Sequence, residues 1–216
     1  MTVDKMIEFL EEFEAPEEKF LIFAADINGL VGPGSVALLN GCVKHIDEGN
    51  CYLEIGTFQG MSLIGAQMDN SAPCYGVENF AEEFKDNWEK HDPDKQSNRL
   101  ILEHNLRKYE TTNGMVFYQD YREFFASDFN GKVEVYLYDG PHEYDDQVAG
   151  LLLAIPLLAD RAIVFIDDYK RENVQRSIEH VLSLNNGYVR EIKRWIWPYG
   201  HFREGFVALE FNRGSQ

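Results

Sequence analysis

Cysteine is scarce in this sequence, with three in 216 residues: Cys42, Cys51 and Cys74. So sparse and odd a set makes no disulfide framework, and no pair has the spacing of a zinc knuckle. The expectation is a fold that stands on its core in a reducing cytoplasm. Basic residues are also few: 20 Lys and Arg against 37 Asp and Glu, a formal charge of −17. Such a field repels phosphate backbones and anionic lipid surfaces, which excludes a sequence-independent nucleic-acid binder and disfavours a membrane partner. No apolar run reaches the roughly 18 residues of a membrane-spanning helix. The opening MTVDKMIEFLEEFEAPEEKF is acidic and amphipathic, unlike the basic start and apolar run of a signal peptide. Internal repeats and low-complexity stretches are lacking as well.

What is present reads as one α/β domain with some extra length. Met6, Phe9, Leu10 and Phe13 recur at helical spacing, Pro16 interrupts the pattern, and a second helix is predicted over 17–27. GLVGPG at 29–34 reads as a loop. Ser35 is expected to cap a helix running to about Asp47, with Gly49 stopping it. Beyond residue 50 short apolar runs alternate with helical segments. CYLEIG, CYGVEN, MVFYQD, VEVYLYDG and RAIVFIDD read as five strands, and YVREIKRWIW and FREGFVALEF as two more. Residues 80–110 read as helical with a break at 91–94. Alternation of this kind implies a mainly parallel sheet covered on both faces. The last pair, joined across Pro198–His201, has no room for a crossover helix, so strand seven must run antiparallel.

In open parallel sheets ligands sit beyond the carboxyl ends of the strands, and the informative residues fall there. Strand one ends Glu54-Ile55-Gly56-Thr57-Phe58-Gln59-Gly60. Gly56 permits an unusual turn, Gly60 a close helix approach, and the intervening N–H groups can cradle a polar ligand. The G-x-x-x-G spacing lacks the middle glycine of the dinucleotide fingerprint, which argues against a nicotinamide-dependent oxidoreductase. Strand two ends Glu78-Asn79. Glu78 lies 22 positions beyond Gly56, where a carboxylate suits two ribose hydroxyls. Asp120, before Tyr121, is either an acceptor for an adenine amine or a helix N-cap. Strands four and five end in Asp139 and in Asp167-Asp168. Three carboxylates there suit a hard divalent ion such as Mg²⁺, provided the chain turns at 167–168, because consecutive strand residues otherwise point apart. The plainer alternative is that they cap a helix and hold a loop. His142 beside them is either a proton acceptor or a loop-ordering residue. Trp195, Trp197, Tyr199, His201 and Phe202 either wall a substrate pocket, anchor an interface or pack the core of two edge strands.

Taken together, YLEIGTFQGMS, YGVEN, YQDY and YLYDGPHEYDD…FIDD resemble the successive motifs of class I S-adenosylmethionine-dependent methyltransferases. The similarity is greatest to small O-methyltransferases of the caffeoyl-CoA/catechol and macrocin types, and it covers roughly residues 30–211. The resemblance implies a three-layer, Rossmann-like α/β fold with a seven-stranded sheet whose last strand is antiparallel. Residues 1–48 would form a helical extension over the site and 49–216 the cofactor-binding domain. It implies S-adenosylmethionine held by Glu54, Gly56, Thr57, Gly60, Glu78, Asn79, Asp120, Tyr121 and Asp139. It further implies a metal on Asp139, Asp167 and Asp168, proton chemistry at His142 and Asp139, and a small hydroxylated acceptor. Homodimers are common among such proteins. Pro141 stands where an acidic residue often follows the D-G pair, and no lysine after strand four matches the catechol type. A non-catalytic cofactor binder or scaffold of the same fold is the alternative. The net charge favours neutral or cationic acceptors.

Overall fold

The computed structural model describes residues 2–80, 98–184 and 187–214. Among them run seven strands: β1 Asn50–Ile55, β2 Cys74–Val77, β3 Gly114–Phe117, β4 Lys132–Tyr138, β5 Leu158–Ile166, β6 Val189–Trp195 and β7 Phe206–Asn212. They form one sheet in the order β3-β2-β1-β4-β5-β7-β6. β1 to β5 pair in parallel, and β7 is inserted antiparallel between β5 and β6. The seven-stranded α/β architecture and its antiparallel last strand are as the sequence predicts.

Alternation along the central strands sorts side chains between two cores. Tyr52, Val135, Leu137, Ile163 and Phe165 face a layer that includes α1 (Thr2–Glu12), α3 (Pro33–Val43) and α4 (Met61–Gln67). Leu53, Ile55, Tyr136, Tyr138 and Ile166 face the layer of α6 (Tyr121–Phe125), α7 (Tyr144–Ala154) and α8 (Glu172–Leu184). This period-two division is what a sheet buried on both faces requires. Met6 and Leu10 of α1 are fully buried in the first core, so the N-terminal segment belongs to the body of the fold. A further helix, α2 (Glu18–Asp26), packs Phe20 and Phe23 beside α3 and α4. α5 spans Asn98–Lys108; the predicted helix and break over 81–97 lie outside the described residues.

Three local expectations are corrected. α3 starts at Pro33, with Gly32 as N-cap, because proline's fixed φ suits the first helical turn. Ser35 therefore lies inside the helix, fully buried, and caps nothing. The helix ends at Val43, four residues short of Asp47. The connection between β6 and β7 holds a one-turn helix, α9 (Tyr199–Phe202). Within this segment Trp195 and Phe202 stack and are buried, whereas Trp197 is 78% exposed.

Candidate active site

The carboxyl ends of β1, β2, β4 and β5 open into one cavity of about 290 Å³. The loop before α3 closes one side through Gly29, Leu30 and Val31, and the turn before β7 closes another through Arg203 and Glu204.

The floor is a close crossing of two turns. Gly56 has φ +88°, and a Cβ added there would lie 2.0 Å from the Asp139 carbonyl oxygen. The strands are tied at this point, Gly56 N donating to Val77 O and Asp139 N to Ile55 O, both at 2.9 Å. Only glycine satisfies both the angle and the space. Phe58 also has a positive φ, and Gly60, at φ +93°, caps α4. Gly60 packs under Leu102 and Ile64 rather than lining the cavity, so its part is to shape the turn. Thr57 lines the cavity.

Glu78 organises the second wall. Its Oε2 accepts from Phe58 N and its Oε1 from Phe80 N, both at 2.7 Å. The carboxylate is thus fixed at the cavity edge with lone pairs to spare. Asn79 lines the cavity and donates to Asp120 Oδ2 at 3.2 Å. Asp120 itself is the N-cap of α6, accepting from Arg122 N at 2.8 Å, and stands outside the cavity lining. The capping alternative therefore describes its contacts. Its neighbour Tyr121 lines the cavity, donates to Asp146 Oδ1 at 3.0 Å and packs edge-on against Tyr138.

Glu54 sits behind the cavity, completely buried, accepting from Tyr52 OH at 2.6 Å. Burial pushes its pKa up to about 7, and the bond from Tyr52 offsets only part of that. The native state thus keeps a proton that the unfolded chain gives up near pH 4.5. The stability this group contributes is full below the unfolded value and is lost as pH rises through 7. From the ordinary 4.5 to about 7, the loss is about 3 kcal/mol at roughly 1.4 kcal/mol per unit. Denaturant titrations from pH 5 to 8 are expected to show the wild type losing stability relative to Glu54→Gln. Parallel curves would contradict the buried, proton-holding role.

At the ends of β4 and β5, Asp139, His142, Asp167 and Asp168 all line the cavity. Asp168 adopts φ +56°, and this is the turn that lets two consecutive aspartates share it. His142 Nε2 lies 2.9 Å from Asp168 Oδ2 and 3.9 Å from Asp139 Oδ1. Arg171 Nε approaches the same Asp168 oxygen at 2.6 Å. Burial works to raise Asp168, yet its pKa falls below the ordinary value because His142 and Arg171 favour the charged form. Asp139 and Asp167 behave oppositely. Burial first, then neighbouring carboxylates, hold both well above the carboxylate range. Sequence reasoning missed Arg171, Arg203 and Glu204; the signal available was their place in the turns beside β5 and β7.

The Mg²⁺ site expected on Asp139, Asp167 and Asp168 gains no support. Among the described residues no group of three or more His, Cys, Asp or Glu side chains is arranged to hold a metal. Asp168 already carries His142 and Arg171. The donors as arranged do not fit the ion.

A cavity at the carboxyl ends of a 3-2-1-4-5-7-6 sheet defines the Rossmann-like architecture of S-adenosylmethionine-dependent methyltransferases. The family model described as "Methyltransferase domain" matches residues 53–169, and the chain belongs to that family. An O-methyltransferase of Bacillus cereus, solved with S-adenosylhomocysteine, superposes with a TM-score of 0.64 at 15% identity, covering 98% of this chain and 100% of the other. TomG of Streptomyces achromogenes, an O-methyltransferase of tomaymycin synthesis solved with S-adenosylmethionine, gives 0.63 at 15%, covering 96% and 95%. The cofactor-bound Rv0187 from MTB gives 0.65 at 16%, covering 98% and 96%. Likeness at such identities speaks for the fold. A search of curated proteins returned no match to the sequence. Family membership removes the nicotinamide-dependent alternative. Among the described residues no helix is long and apolar enough to cross a membrane.

Proposed function

We propose that the protein transfers a methyl group from S-adenosylmethionine to a hydroxyl of a small molecule in the cytoplasm. The observation that carries this reading is the pairing of two half-sites in one cavity, a nucleoside cradle at Gly56–Glu78 and a histidine–carboxylate–guanidinium relay at His142–Asp168–Arg171. The residues fit the cofactor. The Gly56 turn leaves space that a Cβ would fill, and Glu78 presents a fixed carboxylate where a ribose diol needs an acceptor. Asn79 and Tyr121 line the adjoining wall for the base, and Thr57 and Asp139 the turn for the methionine end. When bound, the cofactor supplies an electrophilic methyl carbon on a sulfonium.

The protein's tasks are then alignment and deprotonation of the acceptor. Asp168 is ionised and accepts, so His142 donates from Nε2, which leaves Nδ1 with the lone pair. That nitrogen would take the proton that the acceptor hydroxyl gives up when it receives the methyl group. Arg171 holds Asp168 in place and in its charged form. Burial first, then the neighbouring carboxylates, raise Asp139 and Asp167 and so disfavour a second negative charge beside the reacting oxygen. No step needs a metal.

The test is transfer of a labelled methyl group from the cofactor to a panel of hydroxylated small molecules, run with and without excess chelator. Labelled ether product at equal rates is expected. Product abolished by chelator would mean that a cation displaces Arg171 from Asp168. Cofactor bound with no product across the panel would favour the non-catalytic alternative.

A further inference from the structure

The cavity's far wall is made by two turns fastened to each other. Tyr169 N donates to Gly205 O at 3.1 Å, Lys170 N to Glu204 O at 2.7 Å, and Lys170 Nζ to Arg203 O at 3.1 Å. Within the second turn Arg203 adopts φ +46°, a left-handed conformation that strains a side-chain-bearing residue. The fastening holds it there, with Arg203 and Glu204 both half-buried on the cavity wall. Because β7 lies beyond β5 in the sheet, this wall is the half of the cavity away from Glu78 and Gly56. On the proposed reading, that is the acceptor's half.

The charges of the remaining walls are accounted for. Glu78 accepts two backbone N–H groups, and Asp168 holds His142 and Arg171. Asp139 Oδ1 lies 3.9 Å from His142 Nε2, and Asp167 is buried. Arg203 exerts a pull on Asp167, but among the described residues no ion pair within 4 Å or hydrogen bond engages the side chain of Arg203 or of Glu204. Among the described residues this wall thus carries one positive and one negative residue, neither side chain in an ion pair within 4 Å or a hydrogen bond. An anionic acceptor there meets Glu204, a cationic one meets Arg203, and an uncharged one desolvates both without return. A ligand carrying both signs complements both.

We infer that the acceptor is an amino-acid-like zwitterion, its carboxylate paired with Arg203 and its ammonium with Glu204. The inference rests on the methyltransferase reading and names that site's substrate class. It also agrees with the −17 formal charge, which disfavours a net anion.

Four catechols of one skeleton separate the charges: 3,4-dihydroxyphenylalanine with both groups, dihydrocaffeate with the carboxylate, dopamine with the ammonium and 4-ethylcatechol with neither. Each is assayed for kcat/KM, and by calorimetry at millimolar concentration against the protein loaded with S-adenosylhomocysteine. The zwitterion is expected first and ethylcatechol last, each charge contributing about tenfold, as a charged hydrogen bond does. Arg203→Gln should remove the advantage of the two carboxylates, and Glu204→Gln that of the two amines. Both variants should bind S-adenosylhomocysteine as the wild type does. A flat order, an order the variants do not change, or no binding of any of the four overturns the inference while leaving cofactor binding intact. Loss of cofactor binding in the wild type would instead strike the function on which it rests.

Discussion

His142→Ala is expected to lower kcat by about 10²- to 10⁴-fold, the usual worth of a positioned general base, with S-adenosylhomocysteine affinity unchanged. The imidazole pairs with Asp168 and takes no part in the bonds that shape the Gly56–Glu78 cradle, so its removal should spare cofactor binding. Asp168→Asn keeps the shape of the partner and removes its charge. The amide can present N–H to His142, which favours the wrong tautomer, so a loss of about 10²-fold or more is expected in kcat. Arg171 is left without its carboxylate in that variant. Rate measurements at saturating cofactor, beside calorimetry of the same preparations, separate the two effects. A His142→Ala enzyme with wild-type kcat would remove the relay from the mechanism.

Gly56→Ala is expected to cripple cofactor binding by more than about 10²-fold and to lower stability by about 2–4 kcal/mol, the range of a strained backbone joined to a steric clash. The added methyl would meet the Asp139 carbonyl at 2.0 Å, and the contact atom is backbone on both sides. Relief therefore requires parting the β1 and β4 turns, which breaks the bond from Asp139 N to Ile55 O and strains the neighbouring one from Gly56 N to Val77 O. The residue also loses its access to φ +88°. Paired denaturant melts and S-adenosylhomocysteine titrations check both arms. Gly60→Ala serves as a comparison. Its clash is with the flexible ends of Leu102 and Ile64, so although its φ of +93° is strained too, binding should suffer less.

The strand ends were legible because each joins an apolar run to a polar or glycine-bearing turn: Leu53-Glu54-Ile55-Gly56, Val77-Glu78 and Tyr138-Asp139. That local pattern, with the alternation of helices, fixes which residues meet beyond the sheet. The position of β7 between β5 and β6 was less accessible, since it is decided by long-range pairing such as Ile163 with Glu210 and Lys193 with Ala208. From that insertion follows the delivery of Arg203 and Glu204 to the cavity, so they were missed. The aspartate pair is instructive in another way. Alternation alone would have sent Asp167 and Asp168 to opposite faces, and it is the left-handed Asp168 that brings both to the cavity. Ser35 misled because a hydroxyl after a loop is a good cap in general, whereas Pro33 two residues earlier had already started the helix. Asp120 served as cap in fact, and its carboxylate is engaged by Arg122 N and Asn79.

The most direct test of the account is calorimetric titration of S-adenosylhomocysteine into the purified protein and into Glu78→Ala, with NAD⁺ as control. The account predicts saturable one-to-one binding to the wild type, silence with NAD⁺, and an affinity loss of about tenfold or more in the variant. That loss has two sources: the ribose loses its acceptor, and the N–H groups of Phe58 and Phe80 lose theirs. No heat with S-adenosylhomocysteine, or binding that Glu78→Ala leaves undiminished, would contradict the proposal that this cavity is a methyltransferase cofactor site.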